Sequence, residues 1–470
     1  MDSIEEIMTR KSWIISLDAL GDRDSEIFES LPGFQRLMRE GAYLPHMRGV
    51  YPSLTYPSHA TILTGRSPDS HRIVNNRRFQ PGDQPGEWFW FEKDIQGDTL
   101  LRAAKRAGKR VSAFLWPVNA GAKIAGNVAE IFPTRPWHNG NLRVLMNSSP
   151  LLALRIQHRF GRLRKGTRQP QLDDFSMEGA HYLLERTNPD LFLLHLLDVD
   201  SNKHAYGTKS DQVKEAIRRM DRRVQEILSW REQREDRDNI DLIFLSDHSQ
   251  IDTPILLFPL SDFEEEGILE RKGNRVLRYR FIPQSCGGSC YVYRNPNIPT
   301  EEAMQVEEEM RVYLEKYAEE TSGIEHVYFS EELRREGSDH KAFAQLEAWR
   351  GYAFSDFFRG SPGAAFEKDH HKANHGFHPD KQRYDAVFFA LGPDFRVGIR
   401  EEARNSLLNI APTIAKVMDL PLKGATGKPI LEILRDHVKQ KTPPSRGKEG
   451  LNTKKNTAYR PSVDIDDLCS

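Results

Sequence analysis

The chain has 470 residues, too many for one small domain and enough for a large α/β core carrying an insertion. Lys and Arg number 67 against 68 Asp and Glu, so no global field exists to hold a nucleic acid duplex, and any anion must be bound locally. Residues 1–11 mix acids and bases without a long apolar stretch, and the three cysteines, Cys286, Cys290 and Cys469, argue against a disulfide framework; together these predict a cytoplasmic protein with no membrane span.

In chain order, the apolar run at 13–17 predicts a first buried parallel strand. A helix follows within 55–65, where Pro57 suits a first turn and Gly65 an end. Residues 99–109 place apolar side chains at helical spacing and close on Gly108 before a second strand run at 111–116, which is a crossover unit. A third run, 191–197, precedes a helix over 211–230 with Val213, Ile217, Met220, Val224, Ile227 and Leu228 on one stripe. The fourth and fifth runs are 242–246 and 386–391. Strands alternating with amphipathic helices predict a doubly wound, mostly parallel sheet with helices on both faces, whose ligands gather beyond the carboxyl ends of the strands. From 256 to 370 the texture changes to alternating strands, such as 290–293, and a helix from about Thr300, its expected N-cap, to 319. The predicted organisation is therefore a core over 11–255, an inserted smaller α+β cap over 256–370, a second core part over 371–437, and a polar, basic tail over 438–470 too poor in apolar residues to order itself. Within the cap, Cys286-Gly-Gly-Ser-Cys290 lacks the Cys-x-x-Cys spacing of a metal or redox pair and reads as two thiols beside a strand.

The candidate chemistry sits just after these strands. The first run ends in Asp18, where an acid equally well caps a helix. The third runs into a segment holding Asp200 and His204, which face one point if the segment turns helically. The fourth ends in Ser246-Asp247-His248, and Asn374-His375-Gly376 stands ahead of the fifth, its glycine permitting close backbone approach. Each motif alone recurs by chance. Jointly, three Asp and three His supply nitrogen and oxygen ligands for two divalent cations, zinc first and manganese second. Two such cations about 4 Å apart clamp an in-line displacement at phosphorus. Thr55, at the predicted helix start, is then either a nucleophile favoured by the helix dipole or a plain N-cap, and the ligand set favours the nucleophile.

In ordered blocks from about Lys11 to Leu434 the sequence resembles the alkaline phosphatase superfamily, nucleotide pyrophosphatase/phosphodiesterase branch: Ile15-Ser-Leu-Asp18-Ala-Leu, 51–65, His71-Arg-Ile-Val-Asn-Asn76, 200–207, Ser246-Asp-His248 and Asn374-His-Gly376, with closing stretches at 410–415 and 427–431. The resemblance implies that Asp18, Thr55, Asp247 and His248 surround one cation and that Asp200, His204 and His375 hold the other. It implies that Asn76 donates to a phosphoryl oxygen and that Tyr56 stacks on a substrate group. It also implies cleavage of phosphodiester or phosphoanhydride bonds in a small-molecule phosphate ester or nucleotide through a phosphothreonine-type intermediate. Arg72, Lys203 and Ser249 stand where the family has glycines, which leaves the ligands intact and alters the surroundings of the pocket. No cysteine lies near Thr55, which sets sulfatase chemistry aside. A phosphonate carbon–phosphorus hydrolase and a phosphomonoesterase share the same cradle, and a non-catalytic binding protein on a dead hydrolase core is the reading from another class.

Overall fold

In the computed structural model, which describes residues 10–81, 86–132 and 139–440, the strand runs pair into one nine-stranded sheet. Its members are β1 (Lys11–Leu17), β2 (Ala42–Arg48), β3 (Val111–Phe114), β4 (Gly126–Val128), β5 (Leu191–Leu196), β6 (Ile240–Leu245), and, after the strands β7 (Phe281–Ser285), β8 (Ser289–Arg294), β9 (Ile324–Phe329) and β10 (Ala344–Ala348) of a second sheet, β11 (Ala386–Leu391), β12 (Ile399–Arg400) and β13 (Asn405–Ser406). The order across the large sheet is β12-β2-β11-β6-β1-β5-β3-β4, with β13 also on β2. The helices used below are α1 (Pro32–Glu40), α2 (Thr55–Thr64), α3 (Leu100–Arg106), α4 (Gly140–Met146), α5 (Pro150–Phe160), α6 (Gln171–Thr187), α7 (Asp198–Tyr206), α8 (Asp211–Glu232), α9 (Thr300–Glu320) and α10 (Ile410–Val417).

The strands are buried on both faces, so successive side chains enter different cores. On β1, Ile14 joins a cluster with Ile62 of α2, Leu100 of α3 and Ile414 of α10, while Trp13, Ile15 and Leu17 join a cluster with Phe34 of α1, Leu183 of α6 and Val224 of α8. Mostly apolar runs are therefore what this sheet requires, and that is how the sequence announces it. Among the described residues no helix is long and apolar enough to cross a membrane.

Three expectations change. The run at 386–391 is not parallel: β11 pairs antiparallel with both β2 and β6, because the chain reaches it directly from the edge where the other strands end and has no crossover in which to turn back. Strand β3 stops at Phe114 rather than at 116, since Leu115 adopts a left-handed φ of 49°. Thr300 is the first residue of α9, and Pro299 occupies the cap position without a side-chain bond. Strand β2, AYLPHMR, carries no apolar run because Pro45 interrupts it; its ladder with β11 shifts register between Met47 and Leu44, where the missing N–H is tolerated.

Between Asp252 and Ala373 the chain builds a four-stranded antiparallel sheet in the order β7-β8-β10-β9 with its own apolar cluster, including Phe281, Tyr291, Leu314 and Leu346. Short antiparallel pairing of Asn374 with Ile251 and of Ala373 with Asp252 then returns it to the large sheet. Of the tail predicted over 438–470, the part from 441 onward lies outside the described residues.

Lys203 is buried at 1% exposure, and its ammonium donates to the Asp24 carboxylate at 2.6 Å and to the Ala19 carbonyl at 2.8 Å. Ala19 holds a left-handed φ of 60° directly after Asp18, so this lysine pins a strained turn at the end of β1. Lys203→Met keeps the stem and strands the Asp24 charge; the expected loss is about 3 kcal/mol of unfolding free energy, read by urea titration.

Candidate functional site

The three central strands β6, β1 and β5 end level with one another, Leu17 pairing with Leu196 and Ser16 with Leu245, so the residues that follow them meet at one edge. Asp18 leaves β1, α7 begins directly after β5, and Asp247 and His248 leave β6. On α7, Asp200 and His204 are one turn apart as the spacing predicted, with His204 Nε2 at 3.5 Å from Asp200 Oδ1. The His204 Nδ1–H donates to the Ala373 carbonyl at 2.7 Å, which orients the ring and leaves Nε2 facing Asp200.

His375 arrives from the far side of the insertion. Gly376 has φ 86°, and a Cβ there would stand 1.6 Å from the Cys286 carbonyl oxygen, so only glycine allows the loop to press against the Cys286-Gly-Gly-Ser turn. The two thiols of that turn are buried and unbridged. His375 Nε2 lies 4.0 Å from Asp200 Oδ1, and its ring centroid is 4.3 Å from that of His248 and 5.0 Å from that of His204.

Two groups of donor atoms follow. In one, Asp18, Asp247 and His248 each place an atom within 4.8 Å of the others; in the second, Asp200, His248 and His375 do the same. His248 Nε2 is 3.5 Å from Asp18 Oδ1 and 3.3 Å from Asp247 Oδ2. Thr55 opens α2, whose N-cap is Leu54 with no side-chain cap bond, so the threonine hydroxyl is not spent on capping. Its Oγ1 lies 3.0 Å from His248 Nε2.

The donor set suits a divalent cation in its charge as well as its geometry. Asp18 Oδ1 and Asp247 Oδ2 are buried with no hydrogen-bond partner. Burial and the neighbouring carboxylates Asp200 and Asp247 push Asp18 well above the usual carboxylate range, and burial pushes Asp247 up to about 8. Burial and the nearby His204 hold His248 down at about 3, and burial with the neighbouring imidazoles holds His375 well below its usual value. Neutral imidazoles beside buried carboxylates form a donor set that a divalent cation would suit.

A cavity of about 160 Å³ adjoins these groups, lined on the core side by Leu54, Asn76, Trp88 and His204 and on the insertion side by Ser285, Phe354, Asp356 and Glu367. Asn76 accepts the Tyr56 N–H with Oδ1 at 2.9 Å, which leaves its amide nitrogen for the cavity it lines. Tyr56 itself departs from the expected stacking role. It is 1% exposed, its hydroxyl donates to Glu130 at 2.8 Å, and Trp88 and Trp90 meet it edge-on, so Trp88 rather than Tyr56 lines the cavity.

A polar layer beneath the site was not foreseen from the sequence. His195, inside β5, places Nε2 3.2 Å from Asp18 Oδ2, and burial with the neighbouring imidazoles keeps it far below its usual pKa. His59, one turn after Thr55, bonds the Thr55 carbonyl at 2.8 Å and Ser16 Oγ at 2.9 Å. The available signal was a histidine within the apolar run LFLLHL, which burial alone disfavours. Asp198, by contrast, is fully committed to Arg219 and Arg223, at 2.7–2.9 Å.

The family model for type I phosphodiesterase / nucleotide pyrophosphatase matches residues 13–348. Human ectonucleotide pyrophosphatase/phosphodiesterase family member 1 is 26% identical over 229 residues, which are 46% of this chain and 21% of that protein. Bovine family member 3 is 22% identical over 416 residues, 84% of this chain and 41% of that protein. An uncharacterized pyrophosphatase/phosphodiesterase of Schizosaccharomyces pombe is 27% identical over 253 residues, 51% and 44%. The chain thus spans less than half the length of these curated relatives. Among solved structures, human ectonucleotide pyrophosphatase/phosphodiesterase 5 superposes with a TM-score of 0.64 at 17% identity, and an inactive murine form in complex with AMP with 0.62 at 17%; both alignments cover 91% of this chain and all of theirs.

Proposed function

Because the chain belongs to the type I phosphodiesterase / nucleotide pyrophosphatase family, we propose that it hydrolyses phosphodiester or phosphoanhydride bonds of nucleotide-like small molecules with two bound divalent cations. The observation that carries this reading is the convergence of Asp18, Asp200, His204, Asp247, His248 and His375 on one sheet edge, with the Thr55 hydroxyl 3.0 Å from His248 Nε2. Asp18, Asp247 and His248, with Thr55, would hold one cation, and Asp200, His204 and His375 the other; zinc suits this nitrogen and oxygen set first, manganese second. When bound, the cations supply positive charge that lowers the Thr55 pKa and balances charge on the phosphoryl and departing oxygens.

Thr55 Oγ1 bonds to phosphorus while the bond from phosphorus to the departing oxygen breaks and the hydroxyl proton passes by way of solvent to that departing oxygen, leaving a phosphothreonine-type ester. Asn76 donates through its amide nitrogen to a non-bridging oxygen, and the α2 dipole favours negative charge at the same point. Water enters from the vacated side, its oxygen bonds to phosphorus, and Thr55 recovers a proton as the phosphorus–Oγ1 bond breaks. Residues 256–370 act as a cap, contributing Ser285, Phe354, Asp356 and Glu367 to the far wall of the cavity. The AMP seated in the murine relative supports a nucleotide in this space. We propose a cytoplasmic location, with which the buried free thiols of Cys286 and Cys290 accord.

The reading is tested by hydrolysis rates, with zinc or manganese present, on a dinucleotide pyrophosphate, a chromogenic diester, a monoester and an alkylphosphonate. The expected order puts the anhydride or the diester about tenfold or more above the other two in kcat/KM. A monoester or phosphonate at the head of the panel would transfer the cradle to that chemistry.

A further inference from the structure

We infer that α4 and α5 form a face that docks on an anionic lipid bilayer. From residue 131 to residue 172 the sequence has no Asp or Glu and eight Lys or Arg, at 135, 143, 155, 159, 162, 164, 165 and 168, in a chain whose charges balance as a whole at 67 basic against 68 acidic residues. The same stretch exposes large apolar side chains: Leu142 and Met146, one turn apart on α4, are 52% and 73% exposed, and Leu151 and Leu154 on α5 are 70% and 51% exposed.

Helix α5 is apolar on two sides. Ala153 and Ile156 are buried toward the body of the protein, while Leu151, Leu154, Arg155 and His158 share the opposite stripe at helical spacing. Tertiary packing requires the first side only; the second stands in water beside guanidinium groups. Between α4, α5, α6 and β4 lies a cavity of about 380 Å³ whose lining includes Leu142 and Leu154 together with Ile131, Val144 and Phe175. Its polar lining is Asn139, Asn141, Gln157 and Arg164, with no carboxylate. Exposed Arg162, Lys165 and Arg168 extend the positive charge past the helix end.

A bilayer surface answers all of these features at once. Leucine and methionine side chains enter the boundary between headgroups and acyl chains, the cavity takes apolar chain, and the flanking cations meet anionic headgroups. An 11-residue helix is too short to span the hydrocarbon and lies in the interface plane. Nucleic acid phosphate would satisfy the cations and leave the leucines in water. A second copy placed by a two-fold axis would oppose two sets of like charges.

The test uses the full chain and sedimentation with vesicles of phosphatidylcholine alone or mixed with phosphatidylserine. Binding is expected to the mixed vesicles and to fall as salt shortens the range of the attraction. Arg155→Ser with Arg162→Ser should weaken partitioning about 30-fold, and Leu151→Ser with Leu154→Ser about tenfold or more, while the melting temperature and turnover of a soluble diester stay unchanged. Equal binding to both vesicle types, no binding at low salt, or wild-type partitioning by the folded leucine variant would overturn the assignment. So would a stable dimer that the leucine variant dissolves, since that result gives the face to a second copy.

Discussion

Thr55→Ala is expected to lower turnover of a chromogenic phosphodiester on the order of 10⁴-fold or more while bound cation and melting temperature are retained. The substitution removes one hydroxyl and one methyl from a residue 8% exposed, at the first position of a ten-residue helix that alanine favours intrinsically. No cap is lost, because Leu54 holds that position and no side chain caps the helix. The Tyr56 N–H keeps its bond to Asn76, and the carboxylates and imidazoles stay where their own elements hold them. A loss of chemistry without loss of fold is therefore the mark of a nucleophile. Thr55→Ser should recover a measurable part of the rate by restoring an oxygen on a slimmer side chain. Near-wild-type turnover by the alanine variant would end the nucleophile assignment.

His204→Ala should lower the metal content of the purified protein from about two cations per chain to about one, and the diester activity with it. His204 sits half-buried on α7, at 3.5 Å from Asp200, and its imidazole donates to the Ala373 carbonyl, a bond whose loss leaves the other ligand candidates on their own elements. Stripping both cations with a chelator extends the same argument to stability. Asp18 and Asp247 are buried carboxyls with unpartnered oxygens, so a cation that binds the folded chain alone stabilises it by about 4 kcal/mol per site at a thousandfold excess over Kd. The chelated protein should melt at a clearly lower temperature and regain its midpoint when zinc or manganese is added. Unchanged metal content in His204→Ala would remove that residue from the ligand set, and an unchanged midpoint after chelation would deny the cations any part in holding this edge together.

The portions of the fold legible in the sequence are those where one physical demand dominates. Strands buried on both faces are predominantly apolar, so β1, β3, β5 and β6 stand out, and the polar residues that follow them stand out in turn. Asp18, Asp247 and His248 were readable for that reason, and Asp200 and His204 because four-residue spacing has one meaning on a helix. Strand β2 was hidden by Pro45, and the direction of β11 by the fact that an apolar run carries no sign of its orientation. The direction of the Tyr56 ring is not legible, because adjacency to Thr55 says nothing about which way a ring points; Trp88 and Trp90 close around it from a loop 32 residues or more downstream. His195 lies within an apolar run and His59 in a helix of mixed character, and in either place a histidine reads as ordinary packing until its partner, contributed by another element, is seen.

The detour through the smaller sheet also fixes the order in which the residues of the candidate site are made. His248 and His375 are separated by the whole of that excursion, yet the Ile251–Asp252 and Ala373–Asn374 ladder ties its two ends together. During synthesis the first 250 residues can present Asp18, Thr55, Asp200, His204, Asp247 and His248, but the last imidazole emerges only after more than a hundred further residues have been made. On the proposed reading, a nascent chain would gain its last cation ligand only after the residues lining the far wall of the cavity have been made.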